Sequence, residues 1–291
     1  MRYYRLPAER GSGTRLVARD GRKAYDLSVT DAGLRSFDEL AAAAAVVGES
    51  VDTIASDLTA EAALIDVETV EAEAGMPVLA EEVWAAGVTY EVSGDAREEE
   101  SDQGDLYDDV YRNERPELFF KSTPSRTVGP RGAIGVRGDS EWDVPEPELA
   151  VVCYRGEIVG YTVGNDVSSR SIEGTNPLYL PQAKVYANAC AIGPCVASPA
   201  TVEDPHDLEI AMTIERNGDV EFDGTTSTAK MARTCEELLD WLTRHNAVPD
   251  LSVLLTGTSL VPSEEFTLRE GDQVTIDIES IGTLENVVEE V

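Results

Sequence analysis

A chain of 291 residues with 42% hydrophobic content has enough apolar material for one large core, or a main domain with a smaller companion, without staples. Acidic side chains number 56 against 23 basic ones, a formal charge of −33, and a field of that sign repels nucleic acid and anionic membrane surfaces. The apolar content is that of a folded protein, so the acids form a solvated surface, in the style of proteins from organisms that keep molar salt in the cytoplasm to screen such repulsion.

In chain order, Arg15–Arg19, the Asp20-Gly21 turn and Lys23–Leu27 read as a hairpin. An Ala-rich helical stretch follows from Phe37 to about Leu58, with Ser36 and Glu39 at capping-box spacing and Gly48 dividing it into two helices. Residues 1–75 are thus expected to form a small α+β domain. From Met76 the texture changes to short β-type runs set off by Gly and Pro: Glu82–Ala86, Leu118–Phe120, Ala133–Val136, Leu149–Tyr154 and Ile158–Val163. One helix interrupts them from Cys235 to about His245, with Thr234 and Glu237 at capping-box spacing, and Gln273–Ile278 returns to strand alternation. The expected class is α+β, with a mainly β domain over residues 76–291. Between its first two strands the segment 91–112 is strongly charged, as expected of an acidic surface segment or a lid.

Cys153, Cys190, Cys195 and Cys235 form no CxxC pair, and His206 and His245 lie far from them in sequence, which argues against a zinc site. The first residues lack a hydrophobic signal, and the longest apolar run, Ala41–Val47, is too short to cross a bilayer, so the chain reads as cytoplasmic with reduced thiols.

Chemistry concentrates in the stretch from Pro145 to Asp166, which reads as a hairpin turning at Gly156. Strand alternation puts Glu146 and Glu148 on one face, and a three-residue loop, Arg155–Glu157, pairs residue 146 with residue 166. Asp166 then joins both glutamates. Three converging carboxylates either keep a proton or bind a hard cation such as Mg²⁺, Mn²⁺ or Ca²⁺. A two-residue loop would send Asp166 to the opposite face, leaving Glu-x-Glu as a solvent-facing strand edge.

Four blocks of this sequence, PEPELAVV from Pro145, NDVSSR from Asn165, PQAKVYANACAIGP from Pro181 and the run from Leu254 to Asn286, resemble the landmark segments of the fumarylacetoacetate hydrolase family, in family order. The resemblance implies a β-rich catalytic fold of mixed sandwich or roll type, and subunits that assemble as dimers or tetramers. It also implies a divalent metal, usually Mg²⁺, on Glu146, Glu148 and Asp166. Lys184 matches the family's active-site lysine, and Thr258 the threonine near the substrate carboxylate. Hydrolytic members carry a histidine after the first catalytic strand, whereas the run from Tyr90 to Arg115 contains none. Trp84–Tyr90 and Arg115–Lys121, with the PQAKVY block, instead resemble the branch that dehydrates 2-keto-3-deoxy-pentonates, arabinonate or xylonate, to 2,5-dioxopentanoate in pentose degradation. The small 2-keto acid would lose a C3 proton to Lys184, as base rather than Schiff-base partner, with the metal stabilising the enolate. Glu117 would protonate the departing C4 hydroxyl beside Phe119 and Phe120. The enol that follows would tautomerise to the aldehyde. The competing readings are an acylpyruvate hydrolase or oxaloacetate decarboxylase of the same family, and a non-enzymatic acidic metal-binding protein.

Overall fold

The first hairpin forms where its turn residues put it. In the computed structural model, which describes residues 1–8, 12–90 and 113–291, β1 (Arg2–Pro7) is followed by β2 (Thr14–Asp20) and β3 (Lys23–Asp26), with Asp20 opposite Lys23. Helices α1 (Phe37–Val47) and α2 (Val51–Leu58) are divided at Gly48, as composition predicts. The box at Ser36 is not made: the Ser36 side chain makes no cap bond, and Glu39 Oε2 accepts at 2.6 Å from the N–H of Arg35, one residue before the cap. Strand β4 (Ala63–Ile65) and helix α3 (Val67–Glu73) complete this part of the chain.

The β-type runs of the rest are strands. They comprise β5 (Glu82–Gly87), β6 (Glu117–Ser122), β7 (Thr127–Val128), β8 (Ala133–Val136), β9 (Asp143–Val144), β10 (Pro147–Tyr154), β11 (Glu157–Asp166) and β12 (Ser168–Ser169). Short helices α4 (Arg170–Thr175) and α5 (Leu180–Lys184) lead to β13 (Cys190–Ala197), α6 (Pro199–Val202), β14 (Glu209–Arg216) and β15 (Asp219–Ser227). Helix α7 (Cys235–Thr243) precedes β16 (Leu251–Leu255), β17 (Gln273–Ile278) and β18 (Gly282–Glu290). Here the capping residue acts as its spacing predicts, Thr234 Oγ1 accepting from the Glu237 N–H at 3.1 Å.

An eleven-stranded sheet runs β4-β3-β2-β1-β13-β11-β10-β16-β5-β6 with β7 on β13, so the first strands continue the sheet of the later chain. A second sheet of five strands, β15-β14-β17-β18-β8, packs on one face of it. Alternation along β10 divides the core between the two faces. Leu149, Val151 and Cys153 meet Ile210, Met212, Ile276 and Leu284 of the second sheet, while Ala150, Val152 and Tyr154 belong with Phe37, Leu40 and Val51 of α1 and α2. Covered on both sides, β10 is buried at every position, which is why it reads as a continuous apolar run. No helix among the described residues is long and apolar enough to cross a membrane. The acidic segment 91–112 lies outside the described residues.

Candidate metal centre and active site

The β10–β11 hairpin reaches the expected pairing by another route. Its loop has two residues, Arg155 and Gly156, both at positive φ (53° and 82°), with Tyr154 opposite Glu157. That register alone would turn Asp166 away from the glutamates. Between Cys153↔Ile158 and Val152↔Gly160, however, Val159 is an extra residue, and this bulge shifts all later pairs by one. Pro147 then faces Asn165, and the ladder continues one step further, the Asp166 N–H donating to Glu146 O at 2.9 Å. The Asn165 side chain locks this end by accepting from the Glu146 N–H at 3.1 Å.

Glu146, Glu148 and Asp166 therefore converge, each 1–2% exposed, with ligand oxygens within 4.8 Å of one another. The Glu148 carboxyl is pushed well above the usual range, first by burial and then by repulsion from Asp166 and Glu146. Three cations answer the three acids. Lys184, ending α5, places Nζ 2.8 Å from Glu146 Oε2, 3.3 Å from Asp166 Oδ2 and 2.6 Å from Ser168 Oγ. Arg170 Nη2 lies 3.0 Å from Glu146 Oε1. Lys121 Nζ lies 2.5 Å from Asp166 Oδ1 as an ion pair and donates to the carbonyls of Val167 (2.9 Å) and Lys184 (2.6 Å). Lys121 is itself the unpaired residue of a second bulge, since Val83 faces Ser122 and Trp84 faces Phe120.

A loop completes the acid side. The Gly257 N–H donates to Glu148 Oε2 at 2.6 Å. Gly257 has φ 90°, and a Cβ there would lie 2.0 Å from Thr89 Oγ1, so only glycine brings this N–H to the carboxylate. Thr258 follows directly, buried, its Oγ1 accepting from the Leu260 N–H at 3.1 Å. Tyr90 is buried close enough to Glu148 for that carboxylate to raise its phenol further, after burial itself, and its hydroxyl has no hydrogen-bond partner among the described residues.

Glu117 opens β6 opposite Gly87, and its carboxyl passes so close that a Cβ on residue 87 would lie 1.9 Å from Oε2. From the same strand, the Phe119 ring centroid lies 5.6 Å from Lys184 Nζ. Neither histidine enters the cluster. His206 Nε2 accepts from the Cys235 N–H at 3.0 Å, at the start of α7, and His245 follows that helix.

The donor set suits a hard divalent cation: carboxylate oxygens only, buried, and crowded enough to hold a proton otherwise. Sequence reasoning found the three acids and Lys184 but missed Lys121, Arg170 and Ser168 as their partners. The signal for Lys121 was a lysine closing an apolar β-type run, Leu118-Phe-Phe; for Arg170 and Ser168 it was the polar run directly after Asp166.

Residues 82–289 match the family described as fumarylacetoacetate (FAA) hydrolase C-terminal. The chain is 60% identical over 288 residues, 99% of both chains, to a protein of Haloferax volcanii named as a probable 2-keto-3-deoxyxylonate dehydratase. It is 46% identical over 216 residues, 72% of both chains, to the 2-dehydro-3-deoxy-D-arabinonate dehydratase of Saccharolobus solfataricus. Its fold matches the structure of a 2-keto-3-deoxy-D-arabinonate dehydratase complexed with magnesium and 2,5-dioxopentanoate, with a TM-score of 0.84 at 35% identity, covering 100% of this chain and 99% of that one. With the matched residues spanning most of its length, the chain belongs to the fumarylacetoacetate hydrolase family.

Proposed function

We propose that this protein is a dehydratase that removes water from a 2-keto-3-deoxy-pentonate, xylonate or arabinonate, to give 2,5-dioxopentanoate, with Mg²⁺ held by Glu146, Glu148 and Asp166. The observation that carries this reading is the buried triad of carboxylates with Lys184 Nζ in contact with two of them. The names of the relatives supply the substrate class.

Charge balance supports an anionic substrate. Three carboxylates face Lys121, Arg170 and, as the proton acceptor, a neutral Lys184, so a bound divalent cation would leave one positive charge in excess, which an anionic ligand neutralises. A 2-keto acid brings one negative charge on its carboxylate and develops a second on its keto oxygen as a C3 proton leaves. Bound here, the cation supplies a Lewis acid for those two oxygens.

Lys184 takes the C3 proton after giving up one of its own; the bonds that its ammonium donates to Ser168 Oγ, Glu146 and Asp166 set where that nitrogen stands. Glu117 gives a proton to the C4 hydroxyl, which leaves as water and creates a C3–C4 double bond. Proton transfer from C5 to C3 then gives a C4–C5 enol, whose hydroxyl proton moves to C4 to yield the 5-aldehyde. Thr258 receives the substrate carboxylate. The same reading includes a cytoplasmic homodimer or tetramer, which size-exclusion chromatography in high KCl tests.

The test is NMR of the purified protein in high KCl with Mg²⁺ and each pentonate, with an acylpyruvate and oxaloacetate in parallel. The expected result is 2,5-dioxopentanoate, abolished by EDTA and restored by Mg²⁺. Turnover of only acylpyruvate or oxaloacetate would overturn the dehydratase reading.

A further inference from the structure

We propose that Arg233 is a positioning residue for Glu117, fastening the chain that leads into β6; this rests on the reading of Glu117 as the acid. Among the described residues β6 is the outermost strand of its sheet and pairs only with β5, and residues 113–116 just before it lie outside that ladder. Arg233 supplies that order. It is only 8% exposed, its Nη1 donates to Glu114 O at 3.1 Å, and its Nη2 donates to Asn113 O. Glu237, one turn into α7, holds Nη1 from the other side at 2.8 Å.

The next two residues are fixed as well. The Arg115 guanidinium lies 4.8 Å from the ring centroid of Trp241, also on α7, and Pro116 fixes its own φ while restricting the residue before it. The same stretch holds the other limb of the site, since the Ala232 N–H donates to Thr89 O at 2.8 Å and Met231 bridges to Tyr90. Residues 231–241 thus tie together the segments that follow β5 and precede β6, just beyond the last pair of the ladder, Gly87 opposite Glu117.

Glu117 has little tolerance for error in the placement of its strand. With its carboxyl Oε2 only 1.9 Å from where a Cβ on Gly87 would stand, a small shift of the strand moves the acid against the β5 backbone or away from the substrate. A guanidinium committed to two backbone carbonyls and one carboxylate acts through geometry, not by touching the reacting atoms.

The experiment is a double-mutant cycle in the Mg²⁺-loaded enzyme in high KCl, with kcat, KM and Mg²⁺ affinity measured for Arg233→Ala, Glu117→Gln and the pair. Arg233→Ala is expected to lower kcat about tenfold to a hundredfold, with KM and Mg²⁺ affinity held within about twofold. On the Glu117→Gln background it should lower the residual rate by less than about twofold, because the group it positions is already gone. Arg233→Lys should fall between. If Arg233→Ala does not fold, Arg233→Gln, which keeps one amide donor, is read in the same way. Equal losses on both backgrounds, or a parallel loss of Mg²⁺ affinity, would overturn the positioning role while leaving Glu117 as the acid. Wild-type kcat in Glu117→Gln would instead overturn the acid assignment, and the positioning role with it.

Discussion

At the carboxylate cluster three acids face three cations, each buried and held at a fixed distance; at the protein's surface, pairs such as Arg155–Asp250, 2.9 Å apart, stand with side chains 58% and 60% exposed in a field of excess acid. The same residue types obey different rules in the two places. Buried charge is unscreened, so each member depends on its partner, and removing one leaves the other stranded. Exposed charge is screened within a Debye length, and single pairs contribute little while the summed repulsion of −33 charges acts on the whole fold. Salt should therefore govern stability through the surface and leave the internal charge balance of the site nearly untouched.

The comparison breaks most visibly at Glu148. Glu148→Gln keeps the shape but removes a ligand charge, and activity should fall by about a thousandfold or more with calorimetric Mg²⁺ binding lost, while circular dichroism in high KCl stays that of the folded protein. Full activity would remove the proposed metal centre. Lys121→Met is next: Asp166 Oδ1 loses an ion-pair partner and two carbonyls lose their shared donor, and chemical denaturation in high KCl should show a loss of about 3–5 kcal/mol. A change below about 1 kcal/mol would mean that the buried pair is no more demanding than a surface one.

Asp143 offers a buried acid without a strong cationic partner, and its effect should be of the opposite sign. Burial, partly offset by Ser140 and Arg137, raises its carboxyl from 3.8 to about 6. Between those values the folded state holds a proton that the unfolded state has released, so this group's contribution to stability falls as pH rises through that window and its full cost is present above it. Asp143→Asn should therefore stabilise the protein at pH 7.5 by up to about 3 kcal/mol, and the gain should vanish toward pH 4, as denaturation midpoints across pH will show. The smallest effect belongs to the surface. Arg155→Ala should move stability by less than about 0.5 kcal/mol, and by nothing measurable in molar KCl. Dilution of KCl itself should lower the thermal midpoint of every variant alike.

The sequence revealed those parts of the molecule that rest on local pattern. Alternation brought Glu146 and Glu148 to one face, and turn residues, Ala-rich helices and apolar runs marked the elements in order. Bulges escaped it. The meeting of Asp166 with the glutamates was expected from a three-residue loop, yet it arises from a two-residue loop plus the extra Val159. Lys121 enters the cluster from a second bulge of the same kind. An extra residue in a strand carries no composition signal, because Val159 fits a strand whether or not it has a partner. Arg170 and Ser168 were hidden for another reason: Arg170 meets Glu146 across the β10–β11 hairpin and Ser168 meets Lys184 across α4 and α5, in contacts that no period of two or 3.6 encodes. Ser36 shows the converse, a capping spacing whose serine makes no cap bond.

The unpaired Val159 behaves like a single inserted letter in a reading frame. On the turn side of it the hairpin is read in one frame, and on the metal side in the other, so the count of residues between Glu148 and Asp166 carries the site more strictly than their identities do. Substitutions along that stretch are spelling changes, which packing can absorb or reject one at a time. Loss of one paired residue from the β10 limb is a frameshift that would disarm the metal centre without altering a single ligand, whereas loss of Val159 itself would remove the bulge and leave the metal-side pairs in place.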